Sequence, residues 1–361
     1  MKLAALAVLA APAALIALLV LPGPARGEAT WSTHARLAGG LDSNVLRAPK
    51  GVESSGLLRV DGGARLSGER LELRLDGSHE QTTKDSALSE SELEAAASYD
   101  HEVSDRLTFT LAALAAYRRD LTVYSDGTVL AAGGTLRREL GAHVLGVAVV
   151  ELDPFDLELG ARGDLETVSG NEKYDLTGAE FSIGTRWFAT PWLTARARYA
   201  FTTRSLDGLT ARNRAGGNAG IERAIRLSVH TGRLQLRAEP SERVALLVRY
   251  DHALVADDFT GYFDGTEREL RAGGLVHVSP KVDVESTFGY LARTYGDRVA
   301  SVDNQSSDAT LGLTTDLELW LFRTVGLFAR YQLERASAEP VGVLYTRHVV
   351  LAGVTGRLGE R

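Results

Sequence analysis

Arg70-Leu71-Glu72-Leu73-Arg74-Leu75-Asp76 alternates charge and leucine at every step. A helix would smear those charges around its circumference. A strand puts the charges on one face and the leucines on the other. The same order returns in Asp156-Leu157-Glu158-Leu159, in Arg243-Val244-Ala245-Leu246-Leu247-Val248-Arg249-Tyr250-Asp251 and in Asp316-Leu317-Glu318-Leu319. The chain therefore reads as all-β. A soluble β-sandwich or β-helix would alternate too, with its polar face to water. Two features favour a membrane barrel instead. Aromatics crowd the ends of the apolar faces (Phe109, Phe181, Trp187, Tyr199, Phe201, Tyr250, Phe288, Tyr290 and Tyr331), as interfacial girdles do. The connections supply the second.

Seven short turns stand at Ser67-Gly68-Glu69, Ser104-Asp105, Asp153-Pro154, Thr190-Pro191, Glu239-Pro240-Ser241, Ser279-Pro280 and Phe322-Arg323. Between them lie longer polar stretches at about 42–56, 83–90, 120–127, 168–174, 205–217, 256–265, 296–307 and 336–345. Strict alternation of short and long connections is the asymmetry of an outer-membrane barrel, with short periplasmic turns and longer external loops. Proline stays out of the alternating runs, as ladder hydrogen bonding requires. The count is sixteen antiparallel strands in a closed transmembrane barrel, the first at about 30–41 and the last at about 346–358. Two runs, 128–152 and 218–238, are long for one strand each. Splitting both would give eighteen. In the second run apolar residues hold odd positions (Ile221, Ile225, Leu227, Val229) and then even ones (Leu234, Leu236), which reads as a β-bulge near Gly232.

Residues 1–27 read as a cleaved signal peptide: Lys2, an apolar run over 3–21, a Pro22-Gly23-Pro24 break, then small residues at Ala25 and Gly27. The run is also long enough for a membrane anchor. Residues 28–361 are then the barrel, with no later apolar stretch able to form a membrane helix, no plug domain before the first strand, and a longest connection, 42–56, that is short for a loop folded deep into the lumen. The chain has 361 residues, 40 Lys+Arg against 47 Asp+Glu, and no Cys. An acidic balance argues against a nucleic-acid partner. Absent thiols exclude disulfides, a Cys nucleophile and thiolate metal sites.

Chemistry-bearing motifs are scarce. The eight His show no His-x-His or His-Glu-x-x-His spacing. There is no Gly-x-Ser-x-Gly elbow, so neither a cofactor nor an enzymatic activity is expected. A Ser-His or Asp-His pair assembled from separate strands would escape such a search. Asp257, Asp258, Asp264 and Glu267 cluster in one external stretch, an oxygen-rich set that could hold Ca²⁺, although the spacing is not that of an EF-hand loop. The informative set is the inward face. Its pore-lining candidates are Arg70, Glu72, Arg74, Arg196, Arg198, Arg249, Arg271, Glu285, Asp316, Glu318 and Arg330, and Arg204 shares that face. Neighbouring strands could simply pair these charges, or the charges could line a wet lumen for hydrated solutes.

The first strand runs His34-Ala35-Arg36-Leu37-Ala38-Gly39-Gly40-Leu41-Asp42-Ser43-Asn44-Val45. A strand ending Gly-aromatic-Asp-x-Asn-Val resembles the opening of outer-membrane β-barrel porins, some associated with exopolysaccharide export. Leu41 stands here where those barrels carry an aromatic, and Leu358 stands near the end where they finish on one. The resemblance implies the outer membrane of a Gram-negative cell. It also implies contact with lipid and lipopolysaccharide, insertion by the barrel-assembly machinery, and a passive pore or export conduit for polar solutes or polysaccharide. A polymer would need a periplasmic export partner. The alternative is a structural or scaffold barrel that transports nothing, with a barrel enzyme third.

Overall fold

A computed structural model describes residues 29–44, 47, 53–84, 89–122, 124–125, 128–129, 135–170, 174–207, 211–219, 224–301 and 304–359. The leader assigned to 1–27 lies outside them. Sixteen antiparallel strands close into one barrel. In chain order the first eight are β1 (Thr30–Asp42), β2 (Ser55–Ser67), β3 (Leu71–Thr82), β4 (Glu90–Ser104), β5 (Leu107–Thr122), β6 (Thr135–Glu151), β7 (Phe155–Gly170) and β8 (Tyr174–Thr190). They are followed by β9 (Leu193–Asp207), β10 (Ile225–Ser241), β11 (Val244–Asp257), β12 (Gly265–Ser279), β13 (Val282–Tyr295), β14 (Ser307–Trp320), β15 (Val325–Glu339) and β16 (Gly342–Gly359). Each strand pairs with its sequence neighbours, and β1 pairs with β16 to close the ring, so no ladder edge is left open. Tyr124–Ser125 and Thr128–Val129 form a separate two-stranded ribbon in the β5–β6 connection. The run from 128 is thus not one strand, because its first residues leave the wall.

Side-chain facing follows from contacts that span several strands. Arg36 on β1 reaches Asp316 and Glu318 on β14, past the intervening β15 and β16. Only the concave side permits that. Alternation then sends Leu246, Val248, Leu317 and Leu319 outward, where they are exposed, with Leu71 and Leu73 on the same outer face. Val248→Arg or Leu73→Arg should cost about 2–4 kcal/mol near the bilayer midplane and less toward the interfaces. Folding titrations into lipid vesicles measure this. Neutrality of both, beside a costly Glu72→Gln, would invert the register.

Pro154, Pro191, Pro240 and Pro280 all fall at the short-turn end, as expected. Four expectations need correction. The β7–β8 and β15–β16 connections (171–173 and 340–341) are short, so long and short connections do not alternate throughout. Residues 336–339 and 342–345 are strand, and Gly342 takes a left-handed φ of 88° that lets the chain reverse tightly. The longest connection is 208–224, not 42–56. Finally, β10 pairs in unbroken register across Gly232 on both sides; its irregularity lies between Ala238 and Ser241, around Pro240, which has no N–H for a ladder. Ile225, Leu227 and Val229 therefore share the inward face with Arg233 and Arg237. The change of apolar phase marks where the lumen wall turns apolar beneath the outer loops.

Candidate functional site

The outward face carries exposed Leu, Val and Ile along its height. Trp31, Phe155, Trp187 and Trp192 stand exposed near the short-turn end, with Phe155 stacked on Trp187 at 6.4 Å. Water disfavours such a surface over a whole wall, and hydrocarbon flanked by an aromatic girdle suits it. The strands run from 12 to 18 residues, more than the roughly 9–11 needed to span. The chain is an outer-membrane β-barrel.

The inner wall is laid with ion pairs. Arg186 and Arg196 both bind Glu158, with Arg186 Nη2 at 3.0 Å and Arg196 Nε at 2.8 Å. Arg198 donates to Glu180 and, at 2.9 Å, to Ser182. Arg233 grips Asp251 with two bonds of 2.8 and 3.0 Å. Arg249 joins Asp251 at 2.8 Å to Glu269 at 3.0 Å, and Arg271 donates to Glu269 at 2.6 Å. On the facing wall Glu72 accepts from Arg65 at 2.6 Å, and Arg74 pairs with Asp76. Asp316 takes two bonds from Arg330, at 2.6 and 2.5 Å, and Glu318 takes Arg36. Glu285 is exposed and lies beside Asp316 in the ladder. Arg70 is displaced from the wall into the turn before β3. The other candidates are brought together as two facing walls. Arg36 and Arg233 complete the pairing and were not among the candidates, although Arg36 alternates with Leu37 as the rest do.

Depth within these pairs is unequal. Side-chain exposure is 38% for Arg162 against 9% for Asp164, 33% for Arg196 against 5% for Glu158, and 59% for Arg271 against 22% for Glu269. The short carboxylate arms lie on the wall, and the longer arginine stems carry guanidinium over them. On the wall formed by β7–β12, solvent therefore meets mainly positive groups.

Not all of the inward face is charged. Ala38, Leu57, Phe328, Val349 and Leu351 form a buried cluster on the closure wall, with the Arg36 guanidinium 5.4 Å from the Phe328 ring. Next to it, the outer end of the β1–β16 seam is an ionic knot. Asp42, fully buried, accepts Arg347 Nε at 2.7 Å and the Asn44 N–H at 2.8 Å. Arg347 also reaches Glu80 at 3.1 Å, and Arg47 reaches Glu90 at 2.9 Å. Burial alone would pull the Arg47 guanidinium down, but Glu90 and Glu334 raise it above its usual value. The Asp42-x-Asn44 pattern at the end of the first strand thus closes the barrel.

Three outer connections pack into a cap. Tyr262, with no exposed surface, sits among Leu206, Ala211, Ile225 and Phe263. Its hydroxyl donates to Asn304 at 3.0 Å, and its carbonyl accepts Arg298 Nε at 2.9 Å. The Arg298 guanidinium lies 4.1 Å from the Tyr262 ring and 3.3 Å from that of Tyr295. Burial holds Arg298 below its usual pKa. Asn304 ties in the carbonyls of Arg214 and Val299. The acidic stretch considered for Ca²⁺ serves this cap. Asp257 accepts the N–H groups of Phe259, Gly261 and Phe263 at 2.8–2.9 Å, and Asp264 accepts that of Asp257 at 2.6 Å. The absence of a folded-in loop was expected from connection lengths alone. Three connections are instead joined to one another at the outer end of β9–β14.

No family model matches the chain, and no curated protein matches it. Solved structures do. OmpT, an outer membrane protein of Vibrio cholerae, is 11% identical over 94% of this chain and 99% of its own, with a TM-score of 0.43. OccAB1 of Acinetobacter baumannii is 10% identical over 93% and 99%, also at 0.43. CdiB from Acinetobacter baumannii is 9% identical over 90% of this chain and 60% of its own, at 0.49. The likeness is one of architecture and carries no function across.

Proposed function

We propose that the barrel is a passive aqueous conduit for hydrated polar solutes, with no chemistry of its own. The guanidinium-faced wall over β7–β12 carries this reading. A sixteen-strand barrel is wide enough for a wet interior, and charges left exposed inside it are groups in contact with water. Two His–Asp pairs favour structure over catalysis. His143 Nδ1 lies 2.7 Å from Asp164, and His277 Nδ1 lies 2.6 Å from Asp283. Among the described residues no Ser or Thr hydroxyl is bonded to either ring.

Planar-bilayer recording of the refolded chain tests the conduit. Wild type should conduct ions of both signs with modest preference. Arg198→Gln with Arg271→Gln should move the reversal potential toward cations, since Glu269 keeps Arg249 while Glu180, left without its cation, adds negative charge to the lumen. Conductance equal to bare lipid removes the pore and promotes the scaffold. Conductance with an unmoved reversal potential keeps the pore and discards these lining residues.

Polysaccharide is the cargo favoured by the resemblance of the first strand alone, and it would bring in a periplasmic partner. Asp42 and Asn44 are occupied in seam closure, so that resemblance argues for the barrel more than for a polymer. The outer-leaflet partner is lipopolysaccharide. Arg226, Arg268 and Arg335 are exposed on the outward face near the loop ends, and none forms an ion pair among the described residues. Phosphate headgroups would neutralise them. Native mass spectrometry of the triple Gln variant should retain less lipopolysaccharide than wild type; equal retention sinks this partner. Insertion would fall to the barrel-assembly machinery, which would meet a last strand whose final outward apolar residue is Leu358.

A further inference from the structure

Beneath the cap, the lumen wall hollows into a recess of about 310 Å³. Arg162, Arg198, Arg204, Arg233 and Arg249 line it together with Glu180, Asp251, Glu267 and Glu269. The pairing there leaves one cation over. Glu180 holds Arg198, Asp251 holds Arg233 and Arg249, and Glu269 holds Arg249. Glu267 holds Arg293 at 3.0 Å, and Arg162 is held by Asp164. Arg204 is exposed and has no carboxylate partner among the described residues. Against it stand Leu227, Val229, Val255 and Leu291, an apolar lining continuous through Leu227 with the buried cluster of the cap.

A spare guanidinium beside an apolar wall suits a small molecule that is anionic at one end and apolar at the other. Bulk inorganic ions gain nothing from Leu227 and Val255. Neutral sugars gain nothing from a fork built for an oxyanion, which a carboxylate fills with two parallel hydrogen bonds. We propose that this recess binds small organic carboxylates, with the carboxylate on Arg204 and the apolar body against Leu227, Val255 and Leu291. The inference rests on the water-filled lumen of the conduit reading, through which the ligand reaches the recess, and not on passage across the membrane.

Calorimetric titration of the full refolded chain in detergent, with benzoate and its neutral isostere benzamide, tests the site apart from conduction. Benzoate should bind at least roughly tenfold tighter, the discrimination of about 1.4 kcal/mol expected from one charge-assisted contact. Arg204→Gln should erase that preference and leave folding unchanged, since Arg204 supports no partner. Leu291→Glu, which puts a like charge into the recess, should abolish benzoate binding as a second route. Equal affinity for the two probes, no benzoate binding at all, or a preference that survives Arg204→Gln overturns the site. Benzoate binding without bilayer conductance removes the conduit and keeps the site. Conductance without benzoate binding does the reverse.

Discussion

Arg347→Met should destabilise the barrel by about 3–5 kcal/mol, the cost of removing one partner from a buried ionic network. Arg347 is the only group described that reaches Asp42, Glu80 and Glu334 together, at 2.7, 3.1 and 3.8 Å. Met keeps the stem and removes the charge, so Asp42 is left buried without a cation, while Glu80 and Glu334 keep only Arg59 and Arg47 at 3.4 and 3.5 Å. The loss falls on the joint between first and last strands, which a barrel forms only when it closes. Urea titration of folding into lipid vesicles reads the cost, and heat-modified mobility on gels reports closure. Adding Asp42→Asn should recover part of it, because the fully buried carboxylate is then neutral. A cost no larger than the roughly 0.5 kcal/mol of an ordinary surface change would mean that the knot is not what closes the seam.

That knot divides what the sequence discloses from what it hides. The strands were legible because alternation is local: Arg70 to Asp76 and Arg243 to Asp251 each state their own period and facing. The turn end was legible because four prolines mark it. The hairpin at 340–341 was not. Ala336, Ala338 and Tyr345 read as loop residues, yet they point inward and pack with Leu344, where small and aromatic side chains suit a covered corner of the lumen. Ile225, Leu227 and Val229 misled for a related reason. Apolar residues were assumed to face lipid, and here they face a cap assembled from connections far apart in the chain. Pairing of charges could be anticipated from alternation. Which partner lies deeper could not, because it depends on the reach of each stem over neighbouring strands. The result converts a lumen of mixed charges into one whose exposed groups on one wall are mainly arginines.

Tyr262→Ala should open the cap without unfolding the barrel. Deleting a fully buried aromatic costs about 3–5 kcal/mol, and Tyr262 has no exposed surface. Its loss would also free Asn304 from the hydroxyl and strip Arg298 of a ring 4.1 Å away. The penalty is borne by the connections, since the ladders of β9 to β14 pair independently of them. At tenfold per 1.4 kcal/mol, the open population should rise roughly 100-fold or more. Trypsin reads this after Arg214, whose side chain is accessible but whose backbone is held by Asn304 and Val299. Cleavage should accelerate by that factor while the urea midpoint of the barrel stays put. Tyr262→Phe separates the contributions: it keeps the ring in the cluster and under Arg298, loses one hydrogen bond, and should give a much smaller increase. Equal cleavage of Tyr262→Ala and wild type would mean that the cap is held by its backbone bonds and Asp257 alone. Bilayer recording of the same variant then locates the cap relative to the current. If the cap narrows the mouth, the open form conducts more; an unchanged conductance places the path along the opposite wall, beside β2 to β4, and leaves the cap as the roof of the arginine-lined recess only.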